Sequence, residues 1–340
     1  MTETVLQFLV SAGVIVVAGT LLTRFGDTIA ARTGLGRLVV GGVLIAFATS
    51  LPELMVDVHA ARLGNPDLAV GDLMGSSLFN LLILAIVDLL HRAPGRMFTR
   101  DAVEYALSAT ASILLTSIAG MTIVAGGSGI AFGRVGAGSL AILLAYVFVA
   151  RLVYRDQRSL AASRRPRGEG DAPGAGRAGG LAGPLLGYAA AAAAIVIAAP
   201  HLARSADVIA GETGLGGTFV GTTLVALCTS LPELVATLTA VRMGAVELAV
   251  GNIFGSNTFN MVLLFPVELA HDGALLGAVQ ATHAFTAMAV VLVTSVVVMG
   301  QLYRVESRKL FIEPDAALVI TLVLGALAAV YLLGDAPAIR

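Results

Sequence analysis

The stretch Thr-Ser-Leu-Pro-Glu-Leu at residues 49–54 returns unchanged at residues 229–234. Around these two stretches, residues 27–80 match residues 207–260 at a constant offset of 180 and without a gap. The matches fall on Thr, Ser, Pro, Glu, Gly and Asn, whereas chance repeats in apolar sequence are confined to Ala, Leu and Val. The chain is therefore internally duplicated, and such self-similarity decides the architecture.

The composition indicates that the duplicated segments lie in a membrane. Of 340 residues, 57% are hydrophobic and 13% are charged, whereas soluble domains are about a quarter charged. The apolar runs are long enough to cross a hydrocarbon layer, which takes roughly 20 residues. A formal net charge of -1 gives no basic field for a nucleic-acid partner. The single cysteine, Cys228, excludes an intramolecular disulfide.

We expect an all-α membrane protein of about ten transmembrane helices. Breaks at Gly, Pro and charged clusters place the spans near residues 4–31, 36–62, 66–90, 101–124, 131–154, 182–211, 216–242, 246–271, 275–299 and 312–334. Five spans in each half make the second copy enter the membrane in the opposite orientation. This predicts two inverted five-helix repeats, with broken helices at a midplane site between them.

The predicted domains are a first repeat at 1–154, a flexible linker at 155–180 and a second repeat at 181–340. The linker is rich in Arg, Gly, Ala and Pro, a composition that cannot bury a core. If the spans alternate, the linker lies on the same side as the basic residues that follow spans three and nine, which are Arg92, Arg96, Arg100, Arg304, Arg308 and Lys309. The positive-inside tendency then predicts a multi-pass cell-membrane protein with a cytoplasmic linker and both termini outside.

Each copy places oxygen-bearing side chains beside a predicted helix break. Pro52 and Pro232 lack the N–H of a helix interior, so each frees a carbonyl one turn earlier. Hydroxyls and a carboxylate flank each break, and the following span adds a hydroxyl and an amide four residues apart. The candidate ligands are Thr49, Ser50, Glu53, Ser76, Asn80, Thr229, Ser230, Glu233, Ser256 and Asn260. Such oxygens suit hard cations, calcium or sodium.

The two glutamates favour an ion site over simple packing. Taken singly, Thr, Ser and Gly in a membrane helix more often bond back to the backbone or allow close packing. A carboxylate at mid-membrane, however, costs roughly 2.5 kcal/mol or more on insertion scales and marks an ion or proton pathway by default. Glu53 and Glu233 stand at repeat-equivalent positions, so we expect them to converge on one cation site.

The duplicated motifs resemble a known family. The paired Thr-Ser-Leu-Pro-Glu stretches and Gly-Asn-Ile-Phe-Gly-Ser-Asn-Thr-Phe-Asn at residues 251–260 are similar to the two alpha-repeats of the sodium/calcium exchanger branch of the cation/calcium antiporter superfamily. The resemblance implies calcium extrusion coupled to sodium entry by alternating access, without a cofactor or enzymatic activity. It also implies four cation subsites between spans two, three, seven and eight, with Glu53 and Glu233 as shared ligands. The other candidates would supply hydroxyl, backbone or amide oxygen.

The two copies differ at polar positions that bear on the site. Asp72 stands where the second copy has Asn252. It precedes Ser76 by one helical turn and Asn80 by two, so the three share a helix face. Asp72 is therefore a candidate third carboxylate, with bracing of a neighbouring helix as the equal alternative.

Further acidic residues are weaker candidates. Asp57 follows Glu53 by one turn and has Thr237 as its counterpart, so it is a candidate for a vestibule. Four acidic residues that occupy two equivalent pairs of positions near span ends are interpreted as interfacial or structural: Asp27, Asp207, Asp88 and Glu268.

Other functions remain open at this point. The single lysine follows Arg308, so no Walker A loop can be written and an ion gradient must drive transport. Proton/calcium exchange through the same glutamates is the main competitor, although the neutral oxygens favour sodium. A cation channel and an intramembrane enzyme are less favoured alternatives. The predicted partners are calcium, sodium and the lipid bilayer, with the oligomeric state open.

Overall fold

The helices of this protein follow the duplicated sequence. The computed structural model describes residues 2–90, 102–127, 129–132, 135–163, 180–212, 227–302 and 314–334. Their helices, in chain order, are α1 Thr2–Thr33, α2 Arg37–Thr49, α3 Leu51–Arg62, α4 Pro66–Leu90, α5 Ala102–Val124, α6 Ala137–Ser163, α7 Ala182–Glu212, α8 Leu231–Arg242, α9 Val246–Ala270, α10 Thr282–Leu302 and α11 Pro314–Gly334.

Two short irregular elements accompany the helices. Strands β1, Ala131–Phe132, and β2, Val135–Gly136, form an antiparallel pair. The predicted fifth span thus begins as a hairpin, and its helix starts at Ala137 because the glycine-rich sequence before it favours turns. A 3-10 turn covers Leu275–Gly277. Helix α6 continues to Ser163 and so enters the segment that we predicted as a linker.

The helices confirm a multi-pass, all-helical membrane protein. By length and hydropathy, α1, α4, α5, α6, α7, α9 and α10 could each cross a membrane, and the bent pair α2–α3 could form an eighth span. Helix α11 carries a shorter apolar stretch, Ala316–Leu332. The first part of the predicted seventh span, at 213–226, lies outside the described residues. The total of ten spans therefore stays a prediction.

The break between α2 and α3 lies inside the repeated motif. The two helices meet at an angle of 44° at Ser50, whose φ and ψ are -87° and 1°. Pro52 opens α3, where its missing N–H costs little. Ser230 has φ and ψ of -82° and 4° before α8, which Pro232 opens in the same way. The sequence duplication is thus matched by a duplicated backbone conformation.

Helices α4 and α9 lie at the centre of the molecule. Most of each is buried, whereas α1, α6 and α7 are largely exposed. Many exposed residues of the peripheral helices are apolar, among them Leu6, Val17, Leu144, Phe148 and Leu186. Since lipid is as apolar as these side chains, such a surface fits a bilayer. Helices α4 and α9, which carry repeated polar residues, therefore lie in the interior of the protein.

Glycines bring α2 and α9 into backbone contact. A Cβ added to Gly41 would lie 2.4 Å from the carbonyl oxygen of Leu248, and one added to Gly251 would lie 2.5 Å from that of Leu38. Both distances are shorter than any real Cβ contact, so no other residue fits either position without displacing main chain. This contact, which we call the glycine seam, holds the first-half break against the second-half helix.

Polar residues near the span ends have structural partners, as the sequence analysis predicted for Asp27 and Glu268. The Asp27 carboxylate pairs with Arg37 at 2.6 Å. Glu268 is 1% exposed, and its Oε1 accepts a hydrogen bond of 2.9 Å from the Leu275 N–H. The Asp207 side chain lies outside the described part of the structure.

Candidate cation site

The predicted ligands are buried together around α4, α9 and the two breaks. Ten of them are at most 2% exposed: Thr49, Ser50, Glu53, Ser76, Asn80, Thr229, Ser230, Glu233, Ser256 and Asn260. The eleventh, Asp72, is partly buried with its Oδ2 atom inaccessible. Burying so many polar groups costs free energy unless each finds a partner. The hydrogen-bond partners of these buried groups therefore indicate what the cluster binds.

The two glutamates face each other across the halves. Glu53 lies in the first turn of α3 and Glu233 in the first turn of α8, and their carboxyl groups interact electrostatically. The Thr49 and Ser256 hydroxyls lie beside the Glu233 carboxyl group. Within the described chain, neither Glu233 oxygen nor Oε2 of Glu53 receives a hydrogen bond of ordinary geometry. The two carboxyl groups therefore retain accepting capacity that well-aligned donors of the described residues do not fill.

Thr49 connects the first-half break to α9 of the second half. Its Oγ1 lies 3.1 Å and 3.2 Å from the carbonyl oxygens of Ile45 and Ala46. The same atom lies 3.4 Å from Asn252 Oδ1 and 3.5 Å from Ser256 Oγ. One hydroxyl therefore fixes the distance between the break and the helix that faces it.

Two asparagines brace α4 against α9 while keeping their oxygens free. Asn80 Nδ2 donates to Asn257 Oδ1 at 2.9 Å, and Asn260 Nδ2 donates to Ser77 Oγ at 3.3 Å. The second bond uses the same two repeat positions as the first, with the halves exchanged. Both amide nitrogens are thus engaged, whereas Oδ1 of Asn80 and Oδ1 of Asn260 each lack a donor within the described chain. Each of these two hydrogen bonds therefore fixes the orientation of the amide oxygen of its donor, Asn80 or Asn260.

The predicted ligands share one property, which is that all their unpartnered atoms are oxygens. A buried polar group without a partner costs about 1–3 kcal/mol, so a concentration of such groups indicates a missing ligand. An array of oxygens without donors matches a hard cation. Within the described residues, these atoms are Ser50 Oγ, Glu53 Oε2, Asp72 Oδ2, Ser76 Oγ, Asn80 Oδ1, Ser230 Oγ, Glu233 Oε1, Glu233 Oε2 and Asn260 Oδ1.

The site differs from a metal centre of clustered acids and imidazoles. Among the residues that the structure describes, no group of three or more His, Cys, Asp or Glu side chains could hold a metal ion. A cation here would depend on hydroxyl and amide oxygens in addition to carboxylates. Thr229 and Ser256 are already engaged within the protein. An ion whose ligands also bond to other groups of the protein is held weakly enough to be released from the site, as transport requires.

Asp72 lies beside Asp57 rather than alone. The two carboxyl groups are adjacent, and Asp57 is 0% exposed. Asp72 also interacts electrostatically with Glu53 and Glu233. In the second half, the equivalent residues form a neutral pair, in which Asn252 Nδ2 donates to Thr237 Oγ1 at 3.1 Å. The two halves therefore differ in charge at this position.

The structure adds supporting residues that we did not predict from the sequence. Ser77, Asn252 and Asn257 hold ligands in place, and their signal was a polar residue at a repeat position inside an apolar span. Residues Val40–Ile45 form a π-helical turn within α2, and the Tyr188 hydroxyl donates to the Leu44 carbonyl there. Such wide turns recur at functional sites.

Comparisons with known proteins agree with the fold. The family described as "Sodium/calcium exchanger protein" matches residues 3–154 and 184–334. The inner membrane protein YrbG of Escherichia coli is 31% identical, with 71% of each chain covered. The sodium/calcium exchanger MaX1 of Methanosarcina acetivorans is 26% identical, with 71% of this chain and 75% of the relative covered.

The fold is also that of a solved exchanger. The sodium-calcium exchanger NCX_Mj, in crystals soaked with Na+ and Ca2+, superimposes with a TM-score of 0.71 and 18% identity. The match covers 96% of this chain and 98% of that one. At this identity, the similarity establishes the arrangement of helices.

Proposed function

This chain belongs to the sodium/calcium exchanger family, and from that premise we propose that it exchanges calcium for sodium by alternating access at Glu53 and Glu233. Membership makes it a cation/calcium antiporter and not an enzyme, with the ions as substrates and no cofactor. Sodium as the coupling ion and alternating access are the proposed part. The observation that carries the proposal is the array of buried oxygens around the two glutamates that receive no hydrogen bond of ordinary geometry from the residues that the structure describes.

The charge of the site fits one calcium ion. Two ionised glutamates balance Ca2+, and a charge buried in protein is stable only when it is paired. Replacing Ca2+ by sodium ions would distribute smaller charges over more oxygens, and the neutral hydroxyls and amides provide them. We propose Thr49, Ser50, Ser76, Asn80, Thr229, Ser230, Ser256 and Asn260 as these additional ligands, and Asp72 as a carboxylate that binds a cation beside this centre.

The contacts between the halves support an inverted repeat. The braces Asn80–Asn257 and Asn260–Ser77 are what a two-fold axis between α4 and α9 would produce, since position i then contacts j and j contacts i. In an inverted repeat this axis lies in the membrane plane, and the substrate site lies on it. We infer ten spans in two five-helix domains, 1–154 and 181–340, with the 155–180 linker cytoplasmic and both termini outside.

Burial of the glutamates supports a carrier rather than a channel. Glu53 and Glu233 are each 1% exposed, so neither is open to bulk water in this conformation. A channel filter must be open to both sides when it conducts, whereas an alternating carrier passes through states in which the site is closed.

Proton/calcium exchange is the second candidate. The observation in its favour is that Asp57 and Asp72 add two carboxyl groups beside the glutamates. Carboxyl groups can carry protons as well as metal ions. The coupling ion therefore has to be determined by transport.

The test is calcium-45 uptake into proteoliposomes loaded with sodium and diluted into sodium-free buffer. A matched set of vesicles carries a proton gradient at equal sodium on both sides. We expect sodium-driven uptake that is lost in Glu53→Gln and in Glu233→Gln. Glu3→Gln, an exposed acid at the start of α1, is the control and should retain uptake. Uptake driven by protons alone would favour the second candidate, and uptake that survives in both glutamine variants would contradict the proposed site.

A further inference from the structure

We propose that Asp57 and Asp72 form a second calcium-binding subsite, separate from the Glu53–Glu233 centre and present in the first half alone. This inference rests on the proposed function, because it assumes that the central site is a calcium site. It concerns two pairs of equivalent positions at which the halves differ in charge, Asp57 against Thr237 and Asp72 against Asn252.

The first step is the state of the Asp57 carboxyl group. It is 0% exposed, and neither of its oxygens has a hydrogen-bond donor within the described chain. Its neighbour, Asp72, likewise leaves Oδ2 without a donor there. Two carboxyl groups within hydrogen-bonding reach of each other repel when both are ionised, so the pair is stable only with a shared proton or with a bound cation. Their combined charge of -2 matches Ca2+.

The second half shows what a purely structural pair looks like at this place. There, Asn252 donates to Thr237 at 3.1 Å and also to the Glu233 carbonyl at 3.4 Å, so both side chains are satisfied. A neutral bonded pair therefore suffices to pack the break against the following helix. The acidic pair replaces these amide and hydroxyl groups with two carboxyl groups, which only a shared proton can join, and as ions they can bind calcium instead.

The pair lies to one side of the central site. Asp57 is four residues beyond Glu53 on α3, and Asp72 is four residues before Ser76 on α4. Four helical residues rise about 6 Å. Helix α3 ends at Arg62 and α4 begins at Pro66, so both displacements point toward the 63–65 connection. The subsite would thus lie between the centre and the membrane face that carries this connection.

A one-sided acidic subsite would make the two approaches to the centre unequal. On the side of the 63–65 connection, an ion would pass carboxylates, and on the side of the 243–245 connection it would pass Thr237 and Asn252. Carboxylates raise the local concentration of cations. The subsite would therefore hold calcium next to Glu53 on the face of the 63–65 connection.

The experiment counts calcium ions bound by purified full-length protein in equilibrium dialysis with calcium-45, without sodium. The test variant is Asp57→Thr with Asp72→Asn, which recreates the pair that the second half already packs, and Asp57→Asn alone is a milder version. The reference variant is Glu53→Gln with Glu233→Gln. We expect about two ions for the unmodified protein and about one for each double variant, on the charge balance above.

The outcomes separate this inference from the proposed function. One ion in the unmodified protein, retained in Asp57→Thr/Asp72→Asn and lost in the glutamine variant, would overturn the second subsite and leave the exchanger site intact. Loss of all calcium in both double variants would mean a single shared site and would also overturn it. No calcium bound by the unmodified protein would overturn both proposals.

Discussion

The amide nitrogen of Asn80 donates to the amide oxygen of Asn257 at 2.9 Å, which joins α4 of the first half to α9 of the second. Both side chains are at most 1% exposed. The bond fixes which way each amide faces, and it leaves Asn80 Oδ1 without a donor in the described chain. A contact between the halves thus also orients a candidate ligand.

A double-mutant cycle should detect this bond. For Asn80→Ala, Asn257→Ala and the double variant, we expect a coupling of about 0.6–1.7 kcal/mol, the range for hydrogen bonds between membrane helices. The measurement is the free energy of unfolding in mixed detergent. The exposed pair Gln7–His201, at 3.1 Å, is the control and should couple weakly. Additive effects of the two asparagine variants would contradict the brace.

The glycine seam should tolerate no added methyl group. Gly41→Ala and Gly251→Ala would place Cβ 2.4 Å and 2.5 Å from carbonyl oxygens, so we expect losses of about 1–3 kcal/mol or more. Gly325→Ala is the control, because nothing lies within 4 Å of its added Cβ. In a helix this control should stabilise by about 0.5–1 kcal/mol. Melting temperatures in detergent would show the difference, and equal values for all three would contradict the seam.

We expect the Thr49 hydroxyl to contribute to calcium binding in addition to the hydrogen bonds that it makes within its own helix. Thr49→Val keeps the shape of the side chain and removes one oxygen, worth about 1–1.5 kcal/mol, which corresponds to roughly tenfold weaker calcium binding. Thr110→Val removes a hydroxyl that bonds back to the Ala106 carbonyl on an exposed face of α5. Calorimetric titration with calcium should leave this control unchanged. Unaltered affinity in Thr49→Val would remove Thr49 from the ligand set.

The prolines at the breaks should affect transport more than stability. Pro52→Ala and Pro232→Ala supply an N–H that can cap the carbonyl one turn earlier, which removes an oxygen from the site. We expect calcium-45 flux to fall while the free energy of unfolding changes by no more than about 1 kcal/mol. Pro200→Ala, inside α7 and outside both repeated motifs, should keep its flux. Full flux in both break variants would contradict a role for the freed carbonyls.

The sequence was sufficient for an all-helical, multi-pass membrane fold and for the principal charges, whereas the ten spans and the inverted repeat stay predictions. The repeat predicted that Glu53 and Glu233 meet, since equivalent positions of a duplicate converge at their interface, and the two carboxyl groups do interact. Helical spacing likewise predicted that Ser76 and Asn80 are buried on one face of α4. The predicted role of each as an ion ligand stays a prediction.

Pairings between helices could not be predicted in this way. The neighbour of Asp57 is Asp72, on the next helix, and spacing along one helix cannot reveal that contact. The π-helical turn at Val40–Ile45 depends on backbone hydrogen bonds that most side chains permit equally, so residue types give no clear signal for it. Asn257 stands opposite Asn80 because of the distance between α4 and α9, which the core side chains determine.

The contact of Gly41 with Leu248 also has a mechanical meaning. Side chains absorb a displacement by changing rotamer, but main chain pressed against main chain has no such freedom. A shift of α9 would therefore also displace α2. The displacement would include Thr49, which lies one turn beyond the π-helical segment. We therefore expect α2 and α9 to move together, so that a displacement at Asn252 also displaces the first-half break.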